Sequence, residues 1–115
     1  MGFFFPEDGL QRAAPEDTRI QSIEATPYPD GRRVRVQLKL TPFEKRPHIE
    51  VAVRDADGNE AATASIVEPM SWQLEFTLHM RDVAPGRFTI EARLSYPDGP
   101  QAPAAVGDFQ LPLHD

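Results

Sequence analysis

The residues of this chain able to do chemistry are few and scattered. The histidines are His48, His79 and His114, and none of their separations matches a zinc-binding helix or finger. His79 stands beside Met80, with Met70 ten positions earlier. Imidazole and thioether are ligand types that copper favours. Met80, however, falls on the inward phase of an alternating run, which assigns it to packing. Asp55-Ala56-Asp57-Gly58-Asn59-Glu60 carries the oxygen donors of a calcium loop. It lacks the ligand count and the distal glutamate of that pattern, and a hairpin turn accounts for all six residues. Ser22, Ser65, Ser71 and Ser95 sit in no strand–turn–helix elbow, and no Gly-x-Ser-x-Gly occurs. There is no glycine-rich phosphate loop. The chain is therefore expected to be non-enzymatic, with no catalytic residue, no metal ligand and no cofactor.

The charged residues point the same way. Arg33, Arg35 and Lys39 form a basic row on one strand face. A single-strand nucleic-acid groove would interleave such a row with exposed aromatics, whereas Trp72, Phe76 and Phe88 have inward parity. Eighteen acids against twelve basic residues give a formal charge of −6, the wrong sign for a general nucleic-acid or anionic-membrane binder. If the third and sixth strands pair, Glu50 comes opposite Arg93, and Glu91 lies near Arg54 on the diagonal. Such pairs contribute about 0.2–1 kcal/mol each and organise a face.

The elements that must position these residues are strands. Trp72, Leu74, Phe76, Leu78 and Met80 alternate with Gln73, Glu75, Thr77 and His79. After Asp82-Val83-Ala84-Pro85-Gly86-Arg87, alternation resumes with Phe88, Ile90, Ala92, Leu94 and Tyr96. Period two places one apolar face toward a core and one polar face toward water. This stretch, Ser71 to Gly99, reads as the centre of the fold. Before it come three more regular runs: Arg32 to Leu40, with Val34, Val36, Leu38 and Leu40 inward; His48 to Arg54, with Ile49, Val51 and Val53 inward; and Glu60 to Val67, low in apolar bulk and so an edge strand. Arg19 to Ala25 is a first strand whose Ile20 and Ile23 break strict alternation, which predicts a bulge or bend. Gly107 to Leu113 is the last, with Pro112 marking it as an edge. Tyr28-Pro29-Asp30-Gly31 and Tyr96-Pro97-Asp98-Gly99 are the same turn signal used twice.

With 115 residues, one domain is expected. We place an N-terminal tail over residues 1–17 and the domain over 18–115, with no regular element before Thr18. Cysteine is absent, which excludes disulfides and fits a reducing compartment. The start, Met1-Gly2-Phe3-Phe4-Phe5-Pro6-Glu7-Asp8, has no basic residue and too short an apolar run for a secretory signal. No run is long enough to span a membrane. A cytoplasmic location is the expectation, although a fragment of a longer exported precursor would read the same way.

Seven short strands separated by turn signals predict an all-β, seven-stranded antiparallel two-sheet sandwich. Val83-Ala84-Pro85-Gly86-Arg87-Phe88 resembles the Pro-Gly corner before the sixth strand in fibronectin type III and bacterial immunoglobulin-like domains. That resemblance implies an immunoglobulin-like topology over residues 18–113. Two departures accompany it: Phe88 stands where the corner usually carries tyrosine, and the antibody disulfide is missing.

In such a sandwich the loops after strands two, four and six gather at one end. Here they carry Phe43, Lys45 and Arg46, then Met70, then Tyr96 and Asp98. Aromatic, Met and Arg side chains are enriched at protein interfaces, so these six are the candidate binding residues. Phe3, Phe4 and Phe5 are a candidate assembly element, costly to leave in water at about 1.5–3 kcal/mol per ring. The function expected is that of a protein-interaction or structural module, with an unidentified protein partner or a second copy. The alternative is a carbohydrate-binding sandwich, which would need exposed rings from Phe43, Tyr28 or Tyr96.

Overall fold

A computed structural model describes residues 11–81 and 83–111. Its strands are β1 (Ile20–Pro27), β2 (Arg33–Leu40), β3 (His48–Arg54), β4 (Glu60–Val67), β5 (Gln73–His79), β6 (Gly86–Ser95) and β7 (Ala105–Leu111). They form two antiparallel sheets, ordered β1-β2-β5 and β4-β3-β6-β7. This is an all-β two-sheet sandwich, as alternation predicts. The split into three and four strands arises because β4 pairs with β3 and leaves β5 alone at the rim of the smaller sheet.

The core is made by the inward rows. Val34, Val36, Leu38 and Leu40 of β2 face Ile49, Val51 and Val53 of β3 and Phe88, Ile90, Ala92 and Leu94 of β6, all buried. β2 and β6 are flanked on both sides, so their apolar rows are sealed; this is why their alternation is so regular. Phe88 and Phe109 stack with centroids 5.5 Å apart across the β6–β7 pair.

Two bulges appear where alternation fails. In β1 the register slips between Ile20 and Ser22, the irregularity that Ile20 and Ile23 imply. In β4 it slips opposite Val53 and Arg54, so that Ala61 and Ala62 are both buried despite being consecutive. On the outer face Glu50 does oppose Arg93, and Arg54 reaches Glu91 at 3.3 Å. Arg93 turns instead to Glu91 of its own strand, and Glu50 accepts from the Ser65 hydroxyl at 2.7 Å.

Two expectations are corrected. The stretch Ser71–Gly99 is not a central pair: β5 is an edge of the small sheet, and β6 lies inside the large one. Trp72, Leu74 and Phe76 are accordingly half-buried, not sealed. Regular elements also begin before Thr18. Ala13 forms a parallel bridge with Phe43, donating to the Pro42 carbonyl at 2.7 Å and accepting from Glu44 at 3.0 Å. A 3-10 turn follows at Pro15–Asp17, and Thr18 is fully buried. Phe3, Phe4 and Phe5 lie outside the described residues.

The two sides of the sandwich differ. β1 lies against β7 without pairing, and Gly107 sits at that contact, where a Cβ would stand at an ordinary 3.5 Å from both Ile23 Cγ2 and Ile90 Cγ2. β4 and β5, on the other side, barely touch.

Candidate functional site: the loop end around Arg46 and Met70

Three connections meet at one end: residues 41–47 between β2 and β3, 68–72 between β4 and β5, and 96–104 between β6 and β7. Tyr96 ties the last of them to the first and to the N-terminal turn. Its hydroxyl donates to the Lys45 carbonyl at 2.7 Å and lies 3.2 Å from the Thr18 hydroxyl, which itself donates to the Ala14 carbonyl at 2.9 Å. One phenol thereby anchors the β2–β3 loop and the N-terminal turn to the end of β6. The ring is 4% exposed.

Phe43 is buried as well, its edge set against Trp72 at 6.5 Å and 87°. Arg12 covers the same indole at 5.6 Å. Of the six candidate binding residues, Phe43 and Tyr96 are thus packing anchors that shape the end from within. Neither presents a ring to solvent. The inward phase of its run signals this for Tyr96, whereas for Phe43 parity is silent, because loop residues have no fixed alternation.

What the end does present is Arg46 and Met70. Met70 is 85% exposed, and Arg46 donates to its sulfur at 2.9 Å. Val67, 62% exposed, adjoins them at the end of β4, opposite His48 in the β3–β4 register. Val67 shares outward parity with Ser65 and Thr63, a signal that was legible in the sequence. A cleft of about 490 Å³ lies alongside, lined by Glu44, Lys45, Arg46, His48, Glu68 and Pro97. Glu68 holds a positive φ of 50° and donates to the Pro47 carbonyl at 3.0 Å, which turns the chain away from β4. Asp98 also has positive φ, at 56°, and marks the far rim.

The repeated tetrapeptide adopts two shapes. In Tyr28–Gly31 the positive φ falls on Gly31; in Tyr96–Gly99 it falls on Asp98, the third position that a type II turn requires. Gly31 and Gly99 each donate back to the tyrosine carbonyl, at 3.1 and 2.9 Å. Tyr28 sits at the opposite end, half-buried, with Arg33 over its ring at 4.3 Å and its hydroxyl 3.1 Å from that of Thr77.

The acids with shifted titration serve turns. Asp55 accepts from the backbone of Asn59 and Asp57, which holds its carboxyl below the ordinary value. Asp30 accepts from the Arg32 backbone and the Arg33 side chain, with the same effect. Both are ionised at neutral pH and so are poor proton donors. The hairpin reading of residues 55–60 is what the structure contains: Gly58, at φ 88°, closes the turn onto Asp55. Among the described residues, no three His, Asp or Glu side chains converge in a metal-binding group. No described helix is long and apolar enough to cross a membrane.

Among the described residues, two of the other hollows are the most extensive. The larger, about 580 Å³, lies at the opposite end between the Asp55–Ala61 turn and residues 81–88. The other, about 340 Å³, is a shallow trough on the outer face of β1-β2-β5, lined by Ser22, Glu24, Gln37, Lys39, Gln73 and Glu75 among others.

Comparison with known proteins gives the fold and little more. No protein-family model matches the sequence. No curated protein matches it either. Among solved structures, a family 76 glycoside hydrolase from a bovine Bacteroides thetaiotaomicron strain is similar over 80% of this chain, at 16% identity and a TM-score of 0.64. A β-glucuronidase from Parabacteroides merdae is similar over 82%, at 14% identity and 0.58. An FMN-binding β-glucuronidase from Facaelibacterium prausnitzii L2-6 is similar over 76%, at 16% identity and 0.55. The matched parts are 20%, 14% and 14% of those chains respectively, so the likeness is to one sandwich-sized piece of each much longer protein.

Proposed function

We propose that this chain is a non-catalytic sandwich module that binds a protein through the end formed by residues 44–48, 67–70 and 96–98. One observation carries the reading. Met70 and Val67 stand exposed beside Arg46 and a cleft, and the loop that carries Arg46 is fixed from beneath by the buried Tyr96 and Phe43. A rigid frame that displays Met, Arg and an aliphatic side chain suits an interface centre, where Met and Arg are enriched. The partner is another protein or a second copy of this one. Within sandwiches, the pairing of β4 with β3 departs from the antibody constant type and favours the fibronectin type III-like resemblance.

The test is site-specific photo-crosslinking in the producing cells. A crosslinker at position 70 is expected to trap one discrete species, and Arg46→Glu is expected to abolish it. The same crosslinker at Val106, also well exposed but on β7, serves as control. Identical products from both positions would refute the assignment. Sedimentation equilibrium separates self-association from a foreign partner.

Carbohydrate binding is the second reading, and the trough on β1-β2-β5 favours it. Gln37, Lys39, Gln73 and Glu75 offer donors and acceptors on one concave face, and the similar structures carry glycosidase names. The burial of Phe43 and Tyr96 counts against it, since of the three rings that reading would use only Tyr28 keeps partial exposure. Titration calorimetry with soluble oligosaccharides decides: heat that disappears in Gln37→Ala would favour this reading over the first.

A further inference from the structure

Among the described residues, nothing fills an apolar seam on the open side of the sandwich. Trp72, just before β5, Leu74 and Phe76 of β5, and Ala64 and Ile66 of β4 all pack against the core, yet each remains partly exposed because β4 and β5 barely meet. On the opposite side, the approach of β1 to β7 closes the corresponding gap.

The described chain begins at the mouth of this seam. Arg12 lies over Trp72, and Ala13 is bound to the β2–β3 loop. Phe5 precedes Arg12 by seven residues, a reach of up to ~23–25 Å when extended. The row from Trp72 to Phe76 is only about 14 Å long. Phe3 and Phe5 are two residues apart, so in an extended segment they share a face while Phe4 points the other way.

We propose that Phe3 and Phe5 of the same chain fill the β4–β5 seam, lying along the free edge of β5 as an apolar strap. The tether favours the same chain over a second copy: Arg12 already holds the segment's end at the seam, so its effective concentration there far exceeds that of another molecule.

Trp72 is the chain's only tryptophan and reports on the seam directly. In the full chain, Phe3→Ser with Phe5→Ser is expected to move Trp72 emission to longer wavelength and increase its quenching by acrylamide. The same change is expected to lower Tm by roughly 4–8 °C. Phe4→Ser is expected to behave as the parent chain. A nitroxide on Phe4→Cys, in a chain with no other cysteine, is expected to quench Trp72 equally at all dilutions. The same label on Asp108→Cys, on β7, is expected to leave it bright. Unchanged emission in the double variant would overturn the proposal. So would quenching that vanishes on dilution, which assigns the seam to a second copy, or an effect of Phe4→Ser equal to that of the pair. If the double variant fails to fold, the nitroxide comparison decides alone.

Discussion

The hydroxyl of Tyr96 donates to the carbonyl of Lys45 at 2.7 Å, joining residues 51 positions apart at the buried floor of the exposed loop end. This bond does at the end of β6 what a corner tyrosine would do at its start, where Phe88 has no hydroxyl to offer. Replacing Tyr96 by Phe keeps the ring and strands the Lys45 carbonyl. The bond is part-buried and Lys45 itself is exposed, so its loss should cost about 0.5–1.5 kcal/mol. Urea unfolding of Tyr96→Phe should show that loss, and hydrogen exchange should show faster opening at residues 43–46 with β3 unaffected.

Gly107 sits where β1 lies against β7. A methyl at this position meets Ile23 and Ile90 at 3.5 Å, ordinary contact, so Gly107→Ala should be near neutral. Gly107→Val adds branches into occupied space and should cost about 1–3 kcal/mol. Equal stability of the two variants in thermal melts would show that the strands can part without penalty.

The repeated Tyr-Pro-Asp-Gly separates what was legible in the sequence from what was not. Both copies are turns, as proline and Asp-Gly dictate, yet they place the left-handed residue differently because the strands they join pair in different registers. Register is a property of two strands, and four letters do not contain it. The regular runs were legible for the converse reason: β3 and β4 span the residues that alternation and turns predict, and β1 carries the bulge that Ile20 and Ile23 imply. The docking of Ala13 was not legible, since it is made by backbone groups against Pro42 and Glu44 and leaves no side-chain signature. The burial of Phe43 was hidden too, because its partner Trp72 comes from a distant segment, whereas that of Tyr96 follows from its inward phase two residues after Leu94.

The two turns should therefore respond differently to substitution. Gly31→Ala forces an alanine into the left-handed region and should cost about 1–2 kcal/mol. Asp98→Gly relieves a strained residue while adding chain entropy, and should change stability by less than about 1 kcal/mol. Denaturant melts of the two variants provide the check; an equal loss would mean that the turns share one conformation in solution.

Asp30 and Asp55 make part of the stability pH-dependent. Both carboxyls titrate below the ordinary 3.8 because backbone donors, first Arg32 for Asp30 and Asn59 for Asp55, favour the charged form. A lowered folded-state value means that the contribution is full above the unfolded-state value. It is lost as pH falls through the folded-state value. Asp30→Asn with Asp55→Asn should thus be less stable than the parent chain at neutral pH, with the difference shrinking as pH drops below 3.8. Urea midpoints measured between pH 7 and pH 2.5 would reveal this convergence, and a gap that stays constant would assign the loss to something other than titration.

Display and stability should separate at the loop end. Met70 and Val67 are more than half exposed and contribute little to the core, so Met70→Glu and Val67→Lys should each shift stability by no more than about 0.5 kcal/mol. Arg46 loses only its contact with the Met70 sulfur in the first variant, and the Tyr96–Lys45 bond that holds the loop stays in place. If this end is a docking surface, the same two substitutions should remove the species crosslinked at the loop end while Tm holds. Tyr96→Phe should do the reverse, lowering Tm first and weakening capture only as the loop loosens. A Tm that falls with Met70→Glu would mean that the methionine packs against something in the folded chain, and the docking surface would have to be sought elsewhere.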